Sequence, residues 1–252
     1  MAYEKRFVAF LDILGFKEMI KETYINGEEF NRIKKVLGKI ANMKDLNYHD
    51  KYPQNEIGKD VSVFSDSIII SYSADMSIGA PLLHILIDLV HLCINLLSNN
   101  IFVRGGITFG EIIHNENVCF GPAMIKAYEI EQKEAFYPRI VVDKAAVQKG
   151  LLLHGIADTS EIKEYIEQVI NEGEDGLFFL DILFASEDEI GNFDEYLCFL
   201  NEIKTYLVQH LSKKYPDNVK QKYIWFARYF NETIKKFSLP CINNLFINID
   251  AT

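Results

Sequence analysis

The sequence predicts an α+β fold, a mainly antiparallel sheet with helices on one face. Three observations predict it. Apolar runs of strand length alternate with amphipathic stretches of helix length across residues 5–142. Paired strand signals are separated by turn residues rather than by helices. The 252-residue chain is 49% hydrophobic and 25% charged, with 18 Phe and 13 Tyr, which is the balance of a globular body with a sizeable core.

Lys5–Leu11, rich in Phe and Val, reads as a buried strand. The spacing then predicts one helix from Gly15 to about Asn42. Residues 43–59 carry Asn, Tyr, His, Pro and Gly and read as a loop. Val61–Phe64 and Ile68–Tyr72 read as a hairpin pinched at Ser65-Asp66-Ser67. The apolar stretch Pro81–Leu97 is interrupted by His84, Asp88, His91 and Asn95 at steps of four, three and four. That predicts an amphipathic helix over about Met76–Leu97 with an exposed polar stripe, covering a sheet rather than spanning a membrane. Phe102–Gly106 and Ile107–His114 read as another strand pair, Gly121–Glu134 as a helix with Pro122 in its first turn, and Arg139–Val142 as a strand. The order is that of a split βαβ, ferredoxin-like fold. After about residue 148 the texture changes. Glu161–Ile170, Glu189–Ser212 and Val219–Lys236 read as helices and Leu177–Leu180 as a short strand. We therefore expect a core over 1–148 and a mainly helical extension over 149–252 packed on it, with no linker between them.

The net charge is −10. Residues 158–204 hold 14 acidic and 2 basic side chains, so the acidity belongs to the C-terminal part, and the rest is nearly balanced. This excludes a bulk nucleic-acid binder but leaves the N-terminal part able to host a polyanionic small molecule. Cys93, Cys119, Cys198 and Cys241 show no CxxC or zinc spacing and read as reduced, buried thiols. The Phe7–Phe16 run is broken by Asp12 and has no cleavage site, so it is no signal peptide, and we expect a cytoplasmic protein.

Three segments carry candidate chemistry. In Phe7-Val-Ala-Phe-Leu-Asp12-Ile-Leu-Gly15-Phe16 an apolar strand ends in an Asp, and Gly15 opens a helix three residues later. A strand-end carboxylate can bind a divalent cation, and helix-start amides can receive phosphate oxygens; Asp12 can equally cap the helix. In Val61-Ser-Val-Phe-Ser-Asp66-Ser-Ile-Ile-Ile an Asp occupies a hairpin tip, where Asp is also a common turn residue. The split βαβ order lays this hairpin beside the first strand. Two carboxylates brought together repel unless cations sit between them, and a two-metal site serves in-line displacement at phosphorus. The third segment is Phe102-Val-Arg104-Gly-Gly-Ile-Thr-Phe-Gly110-Glu, followed by Val118-Cys-Phe-Gly121-Pro-Ala-Met-Ile-Lys126-Ala-Tyr-Glu129-Ile-Glu131.

Together these segments resemble the catalytic domain of class III nucleotide cyclases. The pattern is a strand ending F-x-D-I-x-G-F, a hairpin Asp, an R-x-G-I-x-x-G strand pair and a helix opened by Gly. The variant R-G-G-I-T-F-G-E, with Asp175–Asp181 and Lys222–Asn231, is closer to the bacterial pyrimidine cyclases of the Pycsar antiphage system. The resemblance implies a palm-like fold and a homodimer that shares its active sites. It implies that Asp12, Asp66 and the Ile13 carbonyl bind two cations, Mn²⁺ or Mg²⁺, and that amides of Ile13, Leu14, Gly15 and Phe16 hold the triphosphate. It further implies cyclisation of UTP, the substrate that branch more often uses, or of CTP to the 3′,5′-cyclic monophosphate, a diffusible signal for a separate effector in defence against phage.

Several positions depart from the family's purine enzymes. Where adenylyl cyclases carry a base-reading Lys and Asp, this chain has Ser62 and Val118. Neither can pair with an adenine edge, whereas a short hydroxyl and an apolar surface suit a pyrimidine, with Tyr72 or Phe109 as candidates to narrow the pocket. On the Gly121 helix the usual Asn and transition-state Arg positions hold Ile125 and Glu129. Charge stabilisation then falls to Arg104 or Lys126, whose plainer roles are a sheet salt bridge and a solvated helix residue. These departures keep a catalytically silent nucleotide-binding or scaffold protein open. A diguanylate-cyclase-like enzyme is disfavoured because no GG[DE]EF motif is present. Trp225 and Tyr229 read as core or dimer packing, and Cys119 lacks the His–Asp context of a nucleophile.

Overall fold

A computed structural model describes residues 2–44, 58–75, 80–153, 159–237 and 244–249. The first strand, β1 (Glu4–Ile13), is followed by α1 (Phe16–Thr23) and α2 (Gly27–Ala41). The hairpin β2 (Lys59–Phe64) and β3 (Ser67–Ser73) leads to α3 (Pro81–Leu97). Then come β4 (Val103–His114), β5 (Cys119–Phe120), α4 (Pro122–Lys133) and β6 (Ile140–Val142). The remainder runs α5 (Lys144–Gly150), α6 (Thr159–Val169), β7 (Ile170–Glu172), β8 (Phe178–Leu180), α7 (Ile182–Ile190), α8 (Phe193–Leu211) and α9 (Asp217–Phe237).

One mixed sheet runs through the molecule in the order β2-β3-β1-β4-β6-β8-β7, with β5 paired to β4. Every pairing is antiparallel except β4 with β6. The α+β class with a mostly antiparallel sheet is as the sequence predicts. Phe7, Leu11, Ile68, Ile70 and Ile107 point to one face and pack with Val36 and Ile40 of α2 and Leu86 and Leu89 of α3. Phe226 and Phe230 of α9 belong to the same core.

Several elements differ from the expectation. The predicted Gly15–Asn42 helix breaks at Tyr24–Asn26, where the Asn26 side chain caps α2 by accepting from the amides of Glu28 and Glu29. The predicted strand pair 102–114 is one continuous twelve-residue strand. Its two central glycines are space-makers, not a turn: a Cβ at Gly106 would lie 2.6 Å from the Ala127 carbonyl oxygen of α4. That closeness explains a second difference. Helix α4 packs on the opposite sheet face from α3, through Val8, Phe10, Ile112, Ala123 and Ala127.

The α3 stripe is not exposed. His84 and Asp88 are buried, and Asp88 accepts from the Tyr72 hydroxyl at 2.5 Å and pairs with Lys59 at 2.7 Å. His91 pairs with Glu189 of α7 at 2.7 Å. The C-terminal part adds strands β7 and β8 to the sheet, and α5, β7 and α7 have no counterpart in the sequence reading. The predicted Glu189–Ser212 helix is split by Gly191, in the left-handed region at φ 66°, and by the Asn192 cap. Cys93 is buried, Cys119 half-buried and Cys198 exposed, so only the first matches the expected buried thiols; Cys241 lies outside the described residues. The start of the predicted Met76 helix and most of the 43–59 loop also lie outside them.

Candidate active site

The end of β1 is the organising point. Asp12 stands opposite Ser67 of β3 and Arg104 of β4 in the sheet register. One residue on, the Ile13 amide donates to the Asp66 carbonyl oxygen at 3.0 Å. The backbone of the hairpin tip is thereby fixed against the strand end, close enough for the Asp66 charge to act on the Asp12 carboxyl. Gly15 turns the chain at φ 76° into α1 and is its N-cap, with no side-chain cap, so Asp12 is not spent on capping. The Leu14 amide donates to the Phe102 carbonyl oxygen at 2.9 Å. The amides of Ile13 and Leu14 are therefore committed to the fold. This corrects the expectation that all four amides from Ile13 to Phe16 receive phosphate, and leaves Gly15, Phe16 and the first turn of α1 for that role.

The electrostatics are those of a crowded, half-buried acid site. The Asp12 carboxyl is raised above its ordinary value, first by burial; Arg104 opposes this and the Asp66 charge adds to it. Arg104 bridges two acids, with Nε 3.4 Å from Asp12 Oδ2 and Nη2 2.6 Å from Oε1 of the fully buried Glu131 on α4. Glu131 is likewise raised, mainly by burial. Lys222 of α9 faces the same group. Burial is the largest cause lowering its ammonium, Arg104 adds to that, and Asp12 and Glu131 act the other way.

Lys222 is the site residue the sequence did not point to: Lys222–Asn231 entered only as part of the branch resemblance, with no sign that α9 reaches the end of β1. It lines a cavity of about 700 Å³ shared with Leu14, Gly15, Phe102, Tyr206 and Tyr223.

The other candidates lie elsewhere. Lys126 pairs with Asp143, which also accepts from Thr108 at 2.8 Å and caps α5 through the Ala145 amide. Arg104 thus takes the plainer of its two roles, a salt bridge on the sheet, whereas Lys126, exposed on its helix, is paired with Asp143 rather than simply solvated. Ser62 bonds His114 Nε2 at 2.9 Å. His114 pairs in register with Cys119, the neighbour of Val118, so Ser62 and Val118 belong to one locality. Val118 is largely exposed at the β4–β5 turn. Tyr72 and Phe109 do not narrow this pocket. Tyr72 is buried on the α3 face, and Phe109 packs on Phe7 at 4.9 Å, whereas Ser62, level with Ile69, points to the α4 face. Ile125 and Glu129 are surface residues, Glu129 pairing with Lys133 at 2.9 Å. Burial pushes the Cys119 thiol up to about 11, against a nucleophilic role.

Two carboxylates and a backbone carbonyl are hard oxygen donors, the chemistry that Mg²⁺ and Mn²⁺ take. Among the described residues no group of three or more His, Cys, Asp or Glu side chains could hold a metal, so waters and substrate phosphates would have to complete the shell, as is usual for Mg²⁺. The Asp66 charge adds to the rise of Asp12 behind burial, and a cation between the two acids would relieve that repulsion.

No protein family and no curated protein matches the sequence. Solved structures match its fold. The chain is similar to the guanylyl cyclase Cya2, at 18% identity over 60% of this chain and 81% of that one, with a TM-score of 0.41. It is similar to the guanylate cyclase domain of RhGC from Catenaria anguillulae, at 15% identity over 59% and 83%, with a TM-score of 0.39. A class III adenylyl cyclase-like ATP-binding protein from Pseudomonas aeruginosa matches at 12% identity over 64% and 37%, with a TM-score of 0.41. Among the described residues no helix is long and apolar enough to cross a membrane.

Proposed function

We propose that this chain is a cytoplasmic nucleotide cyclase that converts UTP or CTP to the 3′,5′-cyclic monophosphate and pyrophosphate. The observation that carries the reading is the backbone bond from Ile13 to Asp66, which sets the hairpin tip beside Asp12 at the end of β1, followed at once by the Gly15 turn. Bound Mn²⁺ or Mg²⁺ would supply the lowered pKa of the ribose 3′-hydroxyl and the charge neutralisation of the leaving pyrophosphate. Asp12, Asp66 and the Ile13 carbonyl would hold these ions. The 3′-oxygen attacks the α-phosphorus in line, the bond from that phosphorus to the β-phosphate oxygen breaks, and the hydroxyl proton passes to solvent. The amides of Gly15 and Phe16 receive the polyphosphate. Arg104 orients Asp12, and Lys222 supplies positive charge beside Asp12 and Glu131, since Arg104 and Lys126 are tied to carboxylates.

Ser62 and Val118 read the base, presented by the second copy in a homodimer. Support for that assembly is the set of exposed apolar side chains Phe64, Val118, Phe120, Ile125 and Tyr128 around the hairpin tip and α4. The product acts as a second messenger for a separate effector in antiphage defence. The test is incubation with each of the four nucleoside triphosphates and Mn²⁺, products resolved by mass; the reading requires a cyclic pyrimidine nucleotide at least about tenfold ahead of cyclic AMP or GMP. Mixing an Asp66→Asn chain with a chain altered in α4 tests the shared site through partial recovery of activity. A second reading, a silent nucleotide binder, is favoured by the carboxylate partners of Arg104 and Lys126, and predicts binding without any cyclic product.

A further inference from the structure

Behind Ser62 lies a chain of hydrogen bonds that sets what its hydroxyl can offer. Arg6, almost fully buried, donates from Nε to Ser71 Oγ at 2.8 Å, and its other nitrogens are held by Asp60, Glu4 and backbone carbonyls. An arginine has only donors, so Ser71 Oγ accepts here. Ser71 is fully buried, and its own hydrogen needs an acceptor. His114 Nδ1, at 2.8 Å, is that acceptor. An imidazole that accepts at Nδ1 carries its proton on Nε2. Nε2 lies 2.9 Å from Ser62 Oγ, so His114 donates and Ser62 accepts. The Ser62 hydrogen is then left over for whatever lies on its open side.

We infer that Arg6, Ser71 and His114 form a polarity relay that makes Ser62 a hydrogen-bond donor toward the base, and that the base it selects carries a carbonyl at position 4, uracil, rather than the amine of cytosine. The inference rests on the reading above that Ser62 faces the base, taken here at the position-4 edge, where the exocyclic groups of uracil and cytosine differ. Against uracil the Ser62 hydrogen meets the O4 lone pair. Against cytosine it meets the N4 hydrogens, and a bond forms only through the remaining Ser62 lone pair, with the hydroxyl hydrogen unpaired. Reversal of the relay would reverse the choice. His114 is a positioning residue here: it acts on the base only through Ser62.

Two measurements test this. Long-range ¹H–¹⁵N correlation spectra of ¹⁵N-histidine-labelled protein report the His114 tautomer with no need for turnover. A neutral Nε2–H ring is expected; a neutral Nδ1–H ring, or a doubly protonated one at neutral pH, overturns the relay even if the protein is a cyclase. Base choice is read by calorimetry with UTP and CTP and by the ratio of cyclic products. Wild-type protein should favour UTP by about tenfold. Ser62→Ala should bring the two within about threefold. His114→Glu, whose carboxylate would take the Ser62 hydrogen and leave lone pairs toward the base, should shift the ratio toward CTP. Equal affinity for the two triphosphates in the wild type, or a ratio unmoved in Ser62→Ala, overturns the base selection. Absence of cyclic product with UTP still bound preferentially would sink the cyclase reading and keep this one.

Discussion

Replacing Arg104 with Gln isolates the electrostatic tension at the end of β1. The guanidinium lies 2.6 Å from Glu131, which is fully buried, and 3.4 Å from Asp12. Its removal leaves a buried carboxylate without its partner, which costs about 3–5 kcal/mol. Lys222 supplies some compensating charge, so the low end, about 3 kcal/mol at pH 7, is expected. For a chain of this size that lowers Tm by about 6–12 °C. The loss has a defined pH dependence. Asp12 and Glu131 are already raised, mainly by burial, and Arg104 is what restrains them. A carboxyl raised on folding favours the folded state below its unfolded pKa and costs stability as pH rises through its folded pKa. Without Arg104 both rise further. The penalty is therefore small in acid, where both groups are protonated folded and unfolded, and develops as pH climbs above the ordinary carboxylate range. Urea melts of the two proteins at about pH 3.5 and pH 7 measure it. Arg104→Gln/Glu131→Gln should recover most of the stability, because the orphaned charge is gone. A loss equal at both pH values, or a double variant whose losses simply add, would refute this account. If Arg104 also acts on the substrate, the double variant stays slow after its stability returns.

Asp12→Asn and Asp66→Asn should each abolish cyclisation in the mass-resolved assay. Asp12→Asn should melt no lower than wild type at neutral pH, because it removes a carboxylate penalised by burial and by Asp66. Gly106→Ala forces a methyl within 2.6 Å of the Ala127 carbonyl and should cost about 1–3 kcal/mol in urea melts while leaving far-UV circular dichroism unchanged. Lys222→Ala should weaken triphosphate binding by calorimetry by about tenfold, a single charge-assisted contact, with Lys222→Arg restoring much of it.

The site was legible in the sequence where it is local. Asp12 and Gly15 sit on one strand-to-helix junction, Asp66 on one hairpin tip, and apolar alternation gives the register that joins them. What escaped was what long-range packing decides. The Gly105–Gly106 pair looks like a turn because glycine breaks strands; here Gly106 makes room for α4 at Ala127 and Ile130, while Gly105 lies tight against Phe10 and Leu11 of β1, and only the packing explains them. The polar stripe of α3 looks solvated because its spacing is helical, but Tyr72 and Lys59 come from other elements to satisfy Asp88. His114 carried no motif at all, since its role exists only where three strands bring Ser62 and Ser71 to its two ring nitrogens. The break at Asn26 was written in the sequence as a good N-cap followed by two acids, a signal outweighed by the long helical period around it.

The same distinction explains why the C-terminal third matters to a site whose motifs all lie before residue 132. The Leu14 amide is anchored on the Phe102 carbonyl, so the segment carrying Gly15 can be no better ordered than Phe102. The Phe102 ring is seated against Phe226 at 4.7 Å, Tyr206 at 5.6 Å and Tyr223 at 6.2 Å, all from α8 and α9. Helix α9 is in turn held at its far half by Tyr229, whose hydroxyl donates to the buried Asp181 at 2.7 Å and accepts from the Leu183 amide at 2.8 Å. A change at Tyr229 would thus reach Lys222 and Phe226 along α9, and through Phe102 the turn that would receive the phosphates. On the proposed function, the helices after β6 would act on the chemistry by fixing the position of a turn they do not contain.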